Sequence, residues 1–189
     1  PKLFTAFFES ALAEVPSIEI KMHSLGASED TSEVLSGKYH ACILPRETRP
    51  DRKLDVRPLF RERFVLGCSA KHPLAASDIV RGEDLLEFPF VDRLKCEFRE
   101  QILDHFARRE VLMRPRFRSD RDDWVQRVVA EGEAICILPE RSATAQGLVT
   151  RPIDGFVLER EVVIATVSGS TAPVEIRKIA QLAARYAWN

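Results

Sequence analysis

Three catalytic signatures are missing from this chain: it contains no Gly-x-Ser-x-Gly, no His-Glu-x-x-His and no Gly-x-x-x-x-Gly-Lys. Nothing therefore marks a strained-turn nucleophile, a helix-borne zinc pair or a phosphate-cradling loop, and no catalytic residue is assigned. There is no Cys-x-x-Cys, and the four histidines are scattered, so neither a metal site nor a cofactor is expected. No apolar run approaches the roughly 20 residues that span a bilayer, and no basic-then-apolar leader opens the sequence. Net charge is also nearly absent. The 28 basic and 29 acidic side chains leave −1, which gives no overall field to attract nucleic acid or an anionic membrane. A stand-alone DNA-binding domain and a membrane partner are both disfavoured.

What is present is ordinary globular composition, 45% hydrophobic and 30% charged over 189 residues. A chain of that length buries about 70% of its unfolded surface, so it needs no disulfides. Of the four cysteines, Cys42 (in ACILP) and Cys136 (in AICILP) lie inside apolar runs and read as core thiols of a reduced, cytoplasmic protein.

Apolar periodicity predicts a first helix over PKLFTAFFESALAEVP, with Leu3, Phe4, Phe7, Phe8, Ala11, Leu12 and Val15 on one broad stripe. A strand in IEIKMHSL, a helix over about 28–36 and the strand ACILP follow as a β-α-β unit. LDVRPLF and ERFVLGCS read as two strands, then PFVDR as a strand and CEFREQILDHFARRE as a helix with Phe98, Ile102, Leu103 and Phe106 inward. RPRFRSD, AICILP, GLVTRPI and EREVVIATV are further strands. DDWVQRVVAEG is a helix, and so is the tail from Thr171.

One internal similarity stands out. SGKYHACILPRE (36–47) and EGEAICILPER (131–141) share a helix-ending glycine, an apolar strand and a Leu-Pro exit. Each reads as a capped helix, a buried parallel strand and a proline that stops pairing. Either two similar lobes each contribute one such unit, or two buried strands coincide by chance. Ligands gather at the carboxyl ends of strands in open α/β sheets, so two lobes would bring both exits near one cleft.

Across these segments the chain resembles the effector-binding domain of LysR-type transcriptional regulators. The carrying residues are VRPLFRERFVLGCSAKHPLA (56–75), SGKYHACILP with His40 where aspartate is usual, VVAEGEAICILPE with Glu133 and Ala134 where a second glycine is common, and LVTRPIDG. The resemblance implies an α/β, type 2 periplasmic-binding-protein-like fold of two Rossmann-like lobes joined by two crossover strands. The lobes are expected at 1–68 plus 159–189 and at 69–158, with a winged helix-turn-helix upstream and absent from this sequence. It further implies a small, anionic effector in the inter-lobe cleft, DNA contact only through the missing domain, and self-association as a dimer within a tetrameric regulator. The exposed part of the first helix is expected to contribute to that dimer.

Candidate effector contacts cluster at helix starts, where unpaired N–H groups attract anions. Ser28 in LGASED reads as an N-cap or as a hydroxyl donor to a ligand. Arg93, Lys95 and Cys96 in DRLKCEFRE, and Ser119 and Asp120 in FRSDRDDW, mark two more. Pro45 ends an apolar strand, and Arg46 beyond it is either a bidentate carboxylate clamp or a solvated charge. Cys96 beside Lys95 and Arg93 reads as a pocket-lining residue or, with a lowered thiol pKa, as a redox sensor. A peroxide-sensing branch of the family has a similar context, but here the arginine comes one residue later and no second cysteine follows within the helix. His72 and His105 read as structural or solvated, and Glu100, Asp104 and Arg108 as a solvated helix face. A transport-type solute-binding protein is the alternative from another class, since it shares the fold.

Overall fold

The computed structural model describes residues 2–24, 31–46, 50–169 and 172–188. In chain order the elements are α1 (Lys2–Glu14), α2 (Ser32–Leu35), β1 (Ala41–Pro45), β2 (Leu54–Ser69), β3 (Phe90–Arg93), α3 (Arg99–Ala107), β4 (Pro115–Ser119), α4 (Asp122–Glu131), β5 (Cys136–Pro139), β6 (Leu148–Arg151), β7 (Glu159–Val167) and α5 (Val174–Arg185). Short 3-10 turns begin at Pro73, Gly82 and Glu140. The chain divides into two compact units, Pro1–Glu62 with Arg160–Asn189, and Arg63–Glu159. β2 leads out of the first and β7 leads back.

In the first unit, the stripe of α1 folds inward because its i, i+4 spacing places Phe7, Ala11 and Val15 on one face, all nearly buried. They pack with Ile164 of β7, with Ile179, Ala180 and Ala183 of α5, and with Trp188. The Trp188 ring lies 5.1 Å from Phe7 and 5.3 Å from Phe4, and its indole N–H donates to the Ala183 carbonyl at 2.8 Å. That bond satisfies the polar edge of a buried aromatic. The phenylalanines of α1 are thus largely consumed inside the unit, and the large apolar side chain it exposes is Leu12. β1 pairs antiparallel with β7, from Ala41 opposite Thr166 to Pro45 opposite Val162.

The second unit is organised by the buried half of β2. This half pairs antiparallel with β5, Phe64 to Gly67 against Pro139 to Cys136, and with β6, Leu66 to Ser69 against Arg151 to Leu148. Gly67 permits the close approach: a Cβ there would lie 2.5 Å from Leu138 Cδ2 and 3.1 Å from the Cys136 sulfur. β3 and β4 pair in parallel, with Asp92 opposite Arg118 and Arg93 opposite Ser119. The Val91 N–H reaches the Ile135 carbonyl at 2.8 Å, which ties β3 to the start of β5. α3 closes one side through Ile102 and Phe106, and α4 packs Val125 and Val129 on Val91, Cys136 and Leu138.

Several sequence expectations need correction. Residues 18–24 form no strand, because no ladder partner lies beside them among the described residues, and a strand is stable only when paired. LDVRPLF and ERFVLGCS are one strand of 16 residues, not two; Arg61 and Glu62 carry no turn residue, so the chain stays extended through them. The apolar strand ACILP is not parallel to its ladder partner β7 but antiparallel, and CILP of AICILP is antiparallel to β2, whereas Ile135 just before it bridges Phe90 in parallel, as expected. An apolar run reports burial on both faces and says nothing of direction. α2 is only four residues long, and α5 begins at Val174.

Candidate functional site

The residues that converge lie at the end of β3 and in the turn that follows it. Asp92 and Arg93 are the last two residues of β3, and both are held indoors, with side chains 2% and 9% exposed. Two charges buried side by side require partners, and each has one. Asp92 accepts from Arg99 Nε at 2.8 Å and Nη2 at 2.6 Å, with Arg118 Nε at 3.5 Å on its outer side. Arg93 donates through Nε at 2.9 Å and Nη2 at 2.8 Å to the two oxygens of Asp122. Asp122 is the first residue of α4, where the helix dipole favours a carboxylate. Burial pulls against the charge of Arg93, but the Asp122 hydrogen bonds outweigh it and hold the guanidinium protonated. The Asp92 hydrogen bonds act likewise on Arg99.

One donor nitrogen is left over. Arg93 Nη1 is buried and finds no acceptor among the described residues. Arg93 also lines a shallow, half-open recess with room for about one water, together with Asp92, Cys96 and Arg99, whose remaining wall is Phe90, Ile102, Leu103 and Ile137. The recess thus sets an apolar wall against a charged rim.

The other expected residues fall around it or elsewhere. Cys96 is buried at 9% exposure and donates its backbone N–H to the Arg93 carbonyl at 3.1 Å. It precedes the first residue of α3 by three positions, so it sits in a turn rather than in the first helical turn. Lys95 and Asp120 are exposed and paired at 3.5 Å. Ser119 Oγ accepts the Arg121 N–H at 3.0 Å. In the first unit, Pro45 ends β1 and Arg46 donates to Glu161 at 2.6 Å. That hydrogen bond, opposed by burial and aided by Arg61, holds the Glu161 carboxyl below its usual range. Ser28 lies outside the described residues. None of the four cysteines forms a disulfide. Burial pushes the Cys68 thiol up and that of Cys136 up to about 12. No group of metal-ligating side chains occurs among the described residues, and no helix there is long and apolar enough to cross a membrane.

Residues 1–188 match the family described as LysR substrate binding domain. The chain belongs to that family. Its fold is accordingly the type 2 periplasmic-binding-protein-like α/β fold. Among solved structures, the CcmR regulatory domain of Synechocystis PCC6803 in complex with 2-PG aligns at a TM-score of 0.76 and 19% identity, over 96% of this chain and 91% of that one. The reduced OxyR regulatory domain from Pseudomonas aeruginosa aligns at 0.74 and 21%, over 96% and 90%. HinK, a LysR family transcriptional regulator from the same species, aligns at 0.78 and 17%, over 95% and 63%. At these identities the likeness concerns the fold. A curated relative, described as a nitrogen assimilation transcriptional activator of Synechocystis, is 25% identical over 144 residues. That stretch covers 74% of this LysR-family chain and 44% of the relative.

Sequence reasoning missed Asp92, Arg99 and Asp122, the three residues that set the electrostatics of the recess. The only signal was an excess of acids and arginines around two segments, and it does not say which acid meets which base. His72, by contrast, is structural, as expected. It is 5% exposed, its Nδ1 accepts the Leu74 N–H at 3.1 Å and its Nε2 faces the Glu133 carbonyl at 3.2 Å. Burial lowers its pKa, against the raising effects of the Glu133 carbonyl and carboxylate. Protonation on Nδ1 would set a donor against the Leu74 donor. A depressed folded-state pKa means that this contribution is complete above the unfolded value of about 6.5 and is lost as pH falls through the lower folded value. The melting temperature is therefore expected to fall on acidification from about pH 6.5. The part of that fall due to His72 is expected to vanish in His72→Asn, as measured by calorimetry across pH.

Proposed function

We propose that this chain is the effector-sensing domain of a LysR-type transcriptional regulator, which binds a small molecule and passes the signal to a DNA-binding domain elsewhere in the parent protein. The observation that carries this is the family match over residues 1–188. In the second unit, the buried Arg93 keeps an Nη1 without an acceptor and lies beside Cys96 at a small recess, which supports a polar anchoring role for it. The CcmR neighbour in complex with 2-PG supports small-molecule binding on this fold. In this reading the domain is cytoplasmic, does no chemistry on its ligand and self-associates, and DNA is a partner of the intact regulator only. Arg93 and Cys96 contact the effector, with Ser119, Lys95 and Asp120 beside them. Pro45, Arg46 and Ser28 are proposed contacts from the first unit. Cys96 is buried and precedes α3, which favours a pocket-lining role over a redox one.

The test is a thermal-shift screen of small carboxylates, aromatic acids and amino acids. A true effector stabilises only the folded state, so at a hundredfold excess over its Kd it adds about 2.7 kcal/mol. A saturable rise in midpoint is the expected result. A flat response across all three classes would overturn the proposal.

A further inference from the structure

Six arginines fall within residues 108–121, against only Glu110 and Asp120 of opposite charge. Three of them recur at every second position, Arg114 just before β4 and Arg116 and Arg118 within it, and all three are exposed while Pro115, Phe117 and Ser119 are partly buried. A strand advances about 6.5 Å per two residues, so the alternation sets these guanidinium groups out as a row. Other arginines of the second unit meet acids: Arg81, Arg93, Arg99, Arg108 and Arg121 each reach a carboxylate at 2.6 to 2.8 Å. The row is different. Arg114 and Arg116 make no hydrogen bond or ion pair among the described residues. Arg118 stands 3.5 Å from Asp92, but Arg99 already holds both oxygens of that carboxylate. Most of the donors in the row are thus turned to solvent.

The surroundings decide what fits. Asp120, Asp122 and Asp123 follow Arg118 within five residues and are exposed, so a nucleic-acid duplex laid along the row would press phosphates on carboxylates as well. A second copy of β4 would set arginine against arginine. Addition of a strand through the backbone is also obstructed, because Pro115 has no N–H and the ladder slips between Phe90 and Val91. What remains is a partner read through side chains, with carboxylates at the same two-residue repeat, since the planar fork of arginine takes a carboxylate with two hydrogen bonds. We propose that the arginine row of β4 docks a short, extended acidic segment of another protein, with Asp or Glu at alternate positions. This goes beyond the effector-binding reading and stands independently of it.

The experiment titrates the chain by calorimetry, at constant ionic strength, with the end-capped peptide Thr-Glu-Thr-Glu-Thr-Glu-Thr. Its comparators are Thr-Thr-Glu-Glu-Glu-Thr-Thr, which has the same composition with contiguous acids, the glutamine version of the first peptide, and single-stranded and duplex DNA oligonucleotides. The alternating peptide is expected to bind saturably, the contiguous one at least threefold more weakly and the glutamine version not at all. Arg116→Glu is expected to weaken the alternating peptide at least tenfold. Arg52→Glu, the same charge change at an exposed site of the first unit, is expected to weaken it less than twofold. Should Arg116→Glu disturb the fold, the double variant Arg114→Gln with Arg116→Gln removes the charges without adding an acid, and is again expected to cost at least tenfold. No saturable binding at millimolar peptide, equal affinity for the two peptide orders, or equal losses in Arg52→Glu and Arg116→Glu overturns the proposal. Tighter binding of either oligonucleotide than of the peptide, lost in Arg116→Glu, overturns it in favour of a nucleic-acid surface.

Discussion

Replacing Glu62 by alanine is expected to destabilise the protein by about 3–5 kcal/mol, the usual cost of breaking a buried ion pair by removing one partner. Glu62 is 1% exposed at its side chain and Arg160 16%, with Arg160 Nε and Nη2 at 2.8 Å and 2.7 Å from the same carboxylate oxygen. The two residues are the last of β2 and the first of β7 that belong to the first unit, so the pair fixes both strands where the chain leaves and returns. Without Glu62 the mostly buried guanidinium loses that carboxylate, and the desolvation it no longer offsets is the larger part of the loss. Urea denaturation checks this through a lower midpoint at unchanged slope. The double variant Glu62→Met with Arg160→Met removes both charges and keeps comparable volume, and is expected to recover most of the loss. A single-variant loss below about 1 kcal/mol would show that the pair behaves as a solvated surface bridge.

Phe106→Ala is the second large effect, about 3–5 kcal/mol from lost burial and the cavity left behind. Phe106 is 1% exposed, its ring is 5.1 Å from that of Phe156, and it packs in the main core cluster of the second unit with Ile102, Leu85 and Val111. At roughly 2–4 °C per kcal/mol for a chain of this size, the melting midpoint should fall by roughly 6–20 °C. Because Phe106 anchors the helix that also carries Ile102 and Leu103, the same variant is expected to weaken any ligand held at the recess. Unimpaired binding by a stable Phe106→Ala protein would separate that recess from the α3 core. Leu103→Ala at the partly buried rim should cost much less stability, since less of its surface is removed from water.

Much of the fold was legible because its information is local. EREVVIATV is β7 residue for residue, and DDWVQRVVAE is α4, since runs of β-branched residues and a 3.6-residue apolar period each favour one backbone state. The stripe of α1 and the inward set Ile102 and Phe106 follow from the same periodicity. The resemblance carried by 56–75 and the two Leu-Pro exits likewise pointed to the family without coordinates, because a family pattern is a statement about order along the chain.

What the sequence by itself determined, then, is helix phase, apolar strands and family. What only the tertiary structure decided is which strand lies beside which and which charge meets which. The antiparallel seating of ACILP on β7 joins residues over a hundred positions apart. Arg46, a candidate clamp, gives one of its donors to Glu161, 115 residues away. Arg93 was one of several bases near a helix start, and its pairing with Asp122, 29 residues on, left its buried Nη1 without an acceptor among the described residues. Hydrophobic period is set by neighbours three or four residues apart, whereas a buried ion pair forms wherever folding happens to exclude water from two opposite charges, and no local pattern records that place.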